Sequence, residues 1–442
     1  MLRGLTPKQS CKAKSDTLPR MATALGAARW LHAAGHTPAL LASLQETRFG
    51  TRSLLAVNPD ETIVSTHGAG LPAIPPRLVH TAHGEGVWLG AIAYDAGLDL
   101  LGITPRHQPT DPAFLAHYYR TYAVLDHANG AWEILGPTGA TRDLLVEATS
   151  ADDPPAPNEV APARAATSGL SRAAYTTQAR EVQRLIGEGE AFEINLTHLI
   201  RTPWSDGGWD LFERLVAVAP ADHAAYLAGE GVELASVSPE VFLHIQDGHA
   251  ETRPIKGTRR RGATPAEDEA LATELVASAK DRAENVMIVD LLRNDLTATA
   301  QPGSVRVTAL CELERTENVM HLVSAVTAQI RDDVRLPDVL VSCFPGGSIT
   351  GAPKRRAMEL IDRLESDARG FYCGTIFAFE PARRSLTASI AIRTASISDG
   401  EARYGAGGAV TLLSDPDDEA DETIVKAQAF LRATNATLEG WQ

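Results

Sequence analysis

The sequence contains little cysteine, and its cysteines are widely spaced. The 442-residue chain has four cysteines and no Cys-x-x-Cys pair, so neither a disulfide framework nor a zinc site is expected. A reducing, cytoplasmic compartment is the simplest expectation for such a chain. The four residues are Cys11, Cys311, Cys343 and Cys373.

Long apolar runs and an excess of basic charge are also absent. No apolar run approaches the roughly 20 residues that cross a bilayer, so no membrane segment is expected. The formal net charge is -15, which argues against a nucleic acid partner because phosphate binding needs a basic surface. An anionic substrate would therefore need a positive site that is built locally.

Composition divides the chain into four parts. Residues 1–20 are basic and lack the apolar stretch of a secretory signal, which predicts a disordered tail or a start codon placed upstream of Met21. Residues 21–149 form an N-terminal region. Residues 150–168 contain four prolines among Ala and Asp, which predicts a linker. Residues 169–437 form a larger C-terminal region.

Local patterns predict both helices and strands. Because the two types do not alternate regularly, an α+β class is favoured over a doubly wound sheet. The dipeptides Asp247-Gly248 and Asp399-Gly400 predict hairpin turns. Helices are predicted over 37–44, 171–188, 264–292 and from Pro416 onwards. Strands are predicted over 53–57, 87–94, 233–246, 250–254, 386–397 and 402–404.

Acidic residues at helical spacing are candidates for a cation site. Glu419, Glu422 and Lys426 share one face of the C-terminal helix. One interpretation of that face is a solvent-exposed surface with a salt bridge between Glu422 and Lys426. In the other, the two glutamates bind a cation and the Lys426 ammonium binds a carboxylate of the substrate. Glu284 begins an apolar helical stretch, where an unpaired charge is unusual. Magnesium uses one or two protein carboxylates, so Glu284 and Glu422 form a candidate pair that sequence spacing alone cannot bring together.

Other features keep two interpretations each. The glycines of 405–408 form a tight turn or let a ligand approach the backbone. His321 is a core residue or a catalyst. Arg393, predicted to share a strand face with Thr387 and Ser389, is a surface cation or a carboxylate clamp. The loop 345–354 lacks the Gly-Lys-Ser/Thr ending of a phosphate loop, and it leads into a helix whose N-terminus favours anions.

In their order along the chain, these segments resemble the chorismate-utilising enzyme family, which includes anthranilate, aminodeoxychorismate, isochorismate and salicylate synthases. The resemblance implies antiparallel β-sheets packed as a sandwich with helices on the outside. It implies a chorismate-binding catalytic domain at 169–437 and an N-terminal region like that of anthranilate synthase component I. The matching motifs are Ser238-Pro239-Glu240, Pro254-Ile255-Lys256-Gly257-Thr258, Ala283-Glu284-Asn285, 319–324, 345–354, Ile392-Arg393-Thr394, 405–408 and Glu419-x-x-Glu422-Thr423-x-x-Lys426.

The resemblance also implies roles for individual residues. Glu284, Glu419 and Glu422 would hold Mg²⁺, which binds the ring carboxylate of chorismate. Glu240 would be the general acid for the departing C4 hydroxyl, and His321 would lie near the C2 and C4 chemistry. The implied substrate contacts are Arg393 and Tyr372 to the pyruvyl carboxylate, Gly407, Gly408 and Lys426 to the ring carboxylate, and Thr258.

Position 256 differs between members of the family. Anthranilate, isochorismate and salicylate synthases place Ala there, whereas aminodeoxychorismate synthases are similar to this chain in placing Lys. The implied course is attack of Lys256 on C2 with loss of the C4 hydroxyl, followed by ammonia at C4 and departure of the lysine. Because the amine must be neutral to attack, we expect Mg²⁺, Arg259 or Arg260 to lower the pKa of Lys256. The alternative is an exposed cation in the basic run 256–261.

The resemblance thus implies conversion of chorismate and ammonia to 4-amino-4-deoxychorismate. Anthranilate synthesis is the first alternative, and a non-catalytic chorismate-binding subunit is the second. The sequence has no Gly-x-Cys-x-Gly nucleophile turn, so we expect ammonia from a separate glutamine amidotransferase subunit. Glu193 stands where relatives often place Gln or Lys, which counts against water-using members and leaves its role open. Whether the N-terminal region keeps an effector pocket, like the tryptophan site of relatives, also stays open.

Overall fold

A computed structural model describes residues 22–44, 51–67, 85–156, 162–316 and 319–441. The segment 1–20, expected to be a disordered tail or an upstream start, lies outside this range, as does Cys11. No helix within the described range is long and apolar enough to cross a membrane.

The described part of the chain contains both helices and strands. The α-helices are α1 (Ala24–Ala33), α2 (Ala96–Leu100), α3 (Ala140–Ser150), α4 (Arg172–Gly187), α5 (Gly208–Val218), α6 (Pro265–Ala277), α7 (Ala279–Thr297), α8 (Leu336–Cys343), α9 (Lys354–Leu364) and α10 (Pro416–Thr434). The strands are β1 (Ala39–Ala42), β2 (Arg52–Ala56), β3 (Glu61–Ser65), β4 (Val87–Ile92), β5 (Phe114–Tyr119), β6 (Tyr122–Asp126), β7 (Ala131–Leu135), β8 (Arg164–Ser168), β9 (Glu193–Pro203), β10 (His223–Gly229), β11 (Val232–Ser238), β12 (Val241–Gln246), β13 (His249–Thr252), β14 (Ile255–Arg260), β15 (Arg306–Arg315), β16 (Val319–Gln329), β17 (Gly351–Ala352), β18 (Thr375–Glu380), β19 (Ser385–Ile390), β20 (Thr394–Ser398), β21 (Glu401–Val410) and β22 (Ala436–Leu438).

The strands form two large sheets. The 12-stranded sheet runs β22-β8-β9-β21-β20-β11-β10-β1-β2-β6-β7, with β17 on β9; the 10-stranded sheet runs β14-β16-β13-β12-β19-β18-β4-β5-β3, with β15 on β16. Neighbouring strands at the site are antiparallel. The predicted α+β class is therefore confirmed. Both sheets contain strands from either side of the predicted linker 150–168, and β8 occupies the end of that range.

Apolar clusters cover both faces of the sheets, as β4 illustrates. All six of its residues are buried. Trp88 and Ile92 point into one apolar cluster, whereas Val87, Leu89 and Ala91 point into another. Successive side chains of a strand alternate between the two faces of its sheet, so a strand covered on both faces reads as a continuous apolar run.

The predicted turns and the predicted start of the C-terminal helix are confirmed. Asp247 and Gly248 have φ values of 51° and 82°, and Asp399 and Gly400 have 52° and 76°. Positive φ at both central residues is the requirement of a type I′ hairpin turn. Asp415 caps α10 by accepting hydrogen bonds from the N–H groups of the first helical turn.

Four predicted elements were wrong in part. The range 233–246 forms two strands, β11 in the 12-stranded sheet and β12 in the 10-stranded sheet. The range 37–44 forms strand β1 rather than a helix, because Leu40 pairs with Leu55 on one side and Tyr226 on the other, and this tertiary pairing overrides the helix propensity of Ala and Leu. The range 264–292 forms two helices, since Ser278 ends α6 and caps α7.

The predicted strand 386–397 is also divided. Its first part is β19 in the 10-stranded sheet, and its second part is β20 in the 12-stranded sheet. Arg393 lies at the crossing with a positive φ of 50°. The left-handed backbone at Arg393 interrupts the regular alternation of side chains between the two faces of a strand. Arg393 therefore does not share the sheet face of Thr387 and Ser389.

A buried ion pair of the C-terminal region also contacts the N-terminal region, through Tyr94. The Arg369 guanidinium donates to Glu365 at 2.6 and 2.9 Å and to the backbone carbonyls of Asn195 and Ile349 at 2.7 and 2.8 Å. It also lies 4.3 Å from the centre of the Tyr94 ring. Arginine and glutamate here have side-chain exposures of 2% and 5%, so each charge depends on the other.

Replacing Arg369 with methionine should therefore destabilise the fold strongly. An uncompensated Glu365 charge would remain buried, and the Asn195 carbonyl would lose its Arg369 donor, at a cost of about 3–5 kcal/mol in the free energy of unfolding. Urea denaturation measures this cost. Arg293→Met, at a half-exposed side chain on α7, is the control and should change stability by less than about 0.5 kcal/mol; equal effects of both variants would contradict the role of the buried pair.

Candidate active site

Strand β14 carries Lys256 and Thr258 into the site. It pairs with β16, where Lys256 lies opposite Leu322 and Thr258 opposite His321, with a register shift between the two pairs. The Thr258 hydroxyl and His321 Nδ1 are 2.9 Å apart. Burial lowers the pKa of His321, and the nearby Arg393 lowers it further, so the imidazole is neutral at physiological pH.

The Lys256 side chain is not an exposed loop cation. Its Nζ donates to Glu193 Oε1 at 2.9 Å, and the two side chains are 10% and 0% exposed. Burial by itself lowers the pKa of Lys256, but the carboxylates of Glu193, Glu284 and Glu240 more than offset this and raise it above the ordinary value. The expected lowering of this pKa was therefore wrong for the protein alone.

The two arginines that were expected to lower that pKa are engaged elsewhere. Arg259 forms ion pairs with Glu274 at 2.9 Å and Asp281 at 3.4 Å, and Arg260 pairs with Glu267. All three acids lie on α6 and α7. Their negative charges neutralise the arginines, which leaves Lys256 facing carboxylates alone.

Glu240 lies between β11 and β12, close to Lys256. Its carboxylate accepts a hydrogen bond from the Ser348 hydroxyl at 2.7 Å. Burial raises the pKa of Glu240, while Ser348, Lys256 and Lys426 act in the opposite direction. A carboxyl group with a raised pKa keeps a proton that it can donate, as a general acid requires.

The glycine-rich loop 345–354 holds Ser348 in place. Lys354 anchors the end of the loop by donating to Asp295 at 2.7 Å and to the Cys343 carbonyl at 2.9 Å. Asn195 donates through its side chain to the Ile349 carbonyl at 3.1 Å. In this fold the loop contributes a hydroxyl to a carboxylate, where the sequence suggested an anion-binding helix end.

Helix α7 carries Glu284 and Lys280 to the C-terminal helix. Lys280 Nζ lies 2.7 Å from Glu419 and 4.0 Å from Glu284. Burial raises the pKa of Glu284 to about 7 against the lowering effect of Lys256 and Lys280. Glu284 Oε1 is buried and has no hydrogen-bond partner. The fully buried Asn285 fixes this turn of α7 by donating to the Leu322 carbonyl of β16 at 3.2 Å.

This acidic group fits a hard divalent cation in part. No three His, Cys, Asp or Glu side chains within the described ranges are grouped closely enough to hold a metal alone. Magnesium needs only one or two protein carboxylates when substrate and water supply the rest. Glu284 Oε1 accepts no hydrogen bond, and the Lys280 ammonium already supplies positive charge between Glu284 and Glu419.

The Lys426 side chain extends from the C-terminal helix to the glycines of β21. Its Nζ is 2.8 Å from Glu422 and 2.9 Å from the Gly407 carbonyl. A side chain at Gly408 would meet Glu419 Oε2 at 3.1 Å, so this strand keeps a narrow, bare surface beside the acids. Burial raises the pKa of Glu422, but Lys426, Lys280 and Lys256 together lower it below the ordinary value.

Arg393 lies near His321, and Tyr372 packs against Gly405 of β21. Arg393 is exposed and forms no ion pair with any described residue, so its guanidinium is free for an anion. Tyr372 is buried, and its ring takes the place of a side chain at Gly405, where a Cβ would lie 2.0 Å from the ring. Tyr372 lines a small cavity with Thr394, the neighbour of Arg393.

The structure thus brings the predicted residues Glu240, Lys256, Glu284, Glu422 and Lys426 within electrostatic reach of one another. It adds two residues that the sequence reading missed. Ser348 was inside a recognised motif, but nothing in the sequence showed that it would face Glu240. Lys280 precedes Glu284 by four residues, a spacing that places both on one helical face, and this signal could have identified it.

Comparisons with known proteins identify related sequences. A sequence profile described as chorismate binding enzyme matches residues 36–432. An aminodeoxychorismate synthase from Streptomyces pristinaespiralis is 45% identical over 78% of this chain and 50% of its own length, so the chain spans about half of that relative. Aminodeoxychorismate synthase component 1 from Salmonella typhimurium is 34% identical over 88% of the chain and 85% of its own length. Anthranilate synthase component 1 3 from Haloarcula marismortui is 40% identical over 61% of this chain and 54% of its own length.

Solved structures share the fold. Anthranilate synthase component I from Streptococcus pneumoniae superposes with a TM-score of 0.75 at 25% identity, covering 87% of this chain and 93% of that one. The menaquinone-specific isochorismate synthase from Escherichia coli gives a TM-score of 0.73 at 18% identity, covering 93% and 91%. The second likeness concerns the fold alone, and together they confirm the expected architecture.

Proposed function

The chain belongs to the chorismate binding enzyme family, and we propose that it converts chorismate and ammonia to 4-amino-4-deoxychorismate, which leads to 4-aminobenzoate and folate. One observation carries this proposal: the Lys256 amine is buried in the site beside Glu193 and within the electrostatic reach of Glu240 and Glu284. A lysine at this position is the mark of the aminodeoxychorismate-forming members that the chain resembles. Relatives with that name support the same assignment.

In the proposed reaction, the Lys256 amine attacks C2 of chorismate while the C4 hydroxyl leaves. Glu240 donates the proton that turns this hydroxyl into water, a role for which its raised pKa is suited. Ammonia then attacks C4, and the bond between C2 and Lys256 breaks. Covalent catalysis of this kind splits one difficult displacement into two easier ones, and the pyruvyl group stays on the ring.

The site also suits the two negative charges of chorismate. Arg393, which has no ion-pair partner among the described residues, would bind the pyruvyl carboxylate together with Tyr372. Lys426 and the bare backbone at Gly407 and Gly408 would bind the ring carboxylate. These groups supply positive charge locally in a chain whose net charge is -15.

We further propose that Glu284, Glu419 and Glu422 hold Mg²⁺ when chorismate binds. The unpartnered Glu284 oxygen and the Lys280 ammonium on Glu419 support this. The ion would neutralise the ring carboxylate and polarise it. Ammonia would come from a separate glutamine amidotransferase subunit; the Salmonella relative, matched over 85% of its length, is itself named component 1.

Replacing Lys256 should identify the reaction. Wild-type protein with chorismate, an ammonium salt and Mg²⁺ should form 4-amino-4-deoxychorismate without pyruvate, as measured by chromatography with mass detection. Lys256→Ala should lose at least about a hundredfold of this activity or need much more ammonia. Lys256→Arg is the matched control, because it keeps a cation beside Glu193 but offers no amine, and it should be equally inactive.

Two results would contradict the proposed activity. Direct release of anthranilate and pyruvate by the wild-type protein would make it an anthranilate synthase, the name of the Haloarcula relative. Full activity of Lys256→Arg would remove the covalent role of the lysine while leaving the product unchanged.

Lys280 should compete with Mg²⁺ for the carboxylates. Because its ammonium lies 2.7 Å from Glu419, Lys280→Met should leave the acids more negative and raise the Mg²⁺ affinity about three- to tenfold, a modest gain since Lys280 is partly exposed. Titration calorimetry with Mg²⁺ alone measures this. Lys280→Arg keeps the charge and should bind Mg²⁺ like the wild type; weaker binding to Lys280→Met would mean that Lys280 supports the cation site.

A further inference from the structure

The proton on Lys256 presents a chemical problem for the proposed function. An amine must be neutral to attack carbon, yet the surrounding carboxylates raise the pKa of Lys256 and keep it protonated. The charged groups that act on it are Glu193 on β9, Glu284 on α7 and Glu240 before β12. One of them, or water, has to accept the proton before the reaction can begin.

Contacts distinguish the three acids. Glu193 is the one carboxylate, among the residues described, that forms an ion pair with Lys256, at 2.9 Å. Glu240 is hydrogen-bonded to Ser348 and is needed as the acid at C4. Glu284 faces Lys280 and the C-terminal helix. His321 is bonded to Thr258 and does not contact the amine.

The backbone of Glu193 is held rigidly. Its residue pairs with Ala352 on β17, and Phe192 N–H donates to the Ala352 carbonyl at 2.8 Å. Gly351 approaches so closely that a Cβ there would lie 2.1 Å from the Glu193 carbonyl oxygen. Groups fixed in this way keep a donor and an acceptor in the geometry that proton transfer needs. The second carboxylate oxygen, Oε2, is buried without a partner.

We propose that Glu193 is the base that takes the proton from the Lys256 ammonium and later returns it. This inference rests on the proposed function. In the first step, an N–H bond of Lys256 breaks and an O–H bond forms on Glu193, so a buried ion pair becomes two neutral groups without a change in net charge. Burial favours the neutral forms, and chorismate binding increases that burial.

The protons of the whole cycle balance. The neutral amine bonds to C2, the C4–O bond breaks, and the hydroxyl leaves as water with the proton of Glu240. When ammonia bonds to C4, the C2–N bond breaks and its electron pair returns to Lys256. The proton stored on Glu193 then restores the ammonium, and a proton from the new C4 amine restores Glu240. No further reactant is required.

Variants of Glu193 with and without a carboxylate test this role. Glu193→Gln keeps size and hydrogen bonding but cannot accept a proton, so its rate at neutral pH should fall about a hundredfold or more. The ratio of the wild-type rate to the Glu193→Gln rate should fall about tenfold for each unit of rising pH, because hydroxide replaces the missing base. Glu193→Asp keeps the acceptor and should retain more activity than Glu193→Gln, with no such dependence of its deficit on pH.

A double-mutant cycle separates this role from a structural one. In a Lys256→Ala background, Glu193→Gln should have little further effect on the residual ammonia-dependent rate, because the proton donor is gone. A full, additive loss in that background, or a Glu193→Asp variant less active than Glu193→Gln, would overturn the proposal.

Carbamylation by cyanate reports how much of the Lys256 amine is neutral, and it does not depend on detecting the reaction product. Neutral amines react with cyanate, and in the free protein, without chorismate, water can accept the proton of Lys256. Removal of the adjacent carboxylate in Glu193→Gln should therefore lower the pH at which Lys256 of the free protein is labelled, as read by peptide mass spectrometry. Equal labelling of the two proteins at every pH would overturn the role of Glu193. Absence of 4-amino-4-deoxychorismate from the wild-type reaction would overturn the proposed function, whatever the labelling shows.

Discussion

The ion pair between Lys256 and Glu193 joins the two sheets of the protein at the site. Lys256 lies on β14 of the 10-stranded sheet and Glu193 on β9 of the 12-stranded sheet. Because both side chains are buried, neither charge is tolerable without the other. The position of the site therefore depends on how the sheets are placed relative to one another, and the protonation of the lysine depends on the same contact.

The surrounding structure keeps this contact in place. The Arg369–Glu365 pair binds the backbone of β9 and the loop that carries Ser348, so the proposed base and the proposed acid share one support. Asn285 fixes α7 against β16 in the same way, which places Glu284 opposite the C-terminal helix. Charge is thus distributed over several elements, which would allow an acidic chain to hold the proposed dianionic substrate.

Much of the fold and of the candidate site could be predicted from the sequence because the signals are local. Asp247-Gly248 specifies its own turn, and Asp415-Pro416 begins its own helix. The range 37–44 was misread because its helix propensity is local, whereas its pairing with β2 and β10 is not. The break at Arg393 was missed because alternation of apolar residues continues across it.

Charge relations between distant segments could not be predicted. The sequence places Arg259 and Arg260 beside Lys256, and only the structure shows that acids of α6 and α7 neutralise them. Glu193 lies 63 positions from Lys256, a separation that no spacing rule connects. These non-local contacts set the pKa of the lysine, so the direction of its pKa shift was misjudged from the sequence.

In the proposed reaction, Lys256 becomes covalently bonded to the substrate. Mass spectrometry of the protein after incubation with chorismate and Mg²⁺, with ammonia withheld, detects this bond. We expect an adduct on Lys256 with the mass of chorismate less one water, which added ammonia converts to 4-amino-4-deoxychorismate. Formation of that product from ammonia with Lys256 unmodified under all conditions would show that the lysine is not the nucleophile.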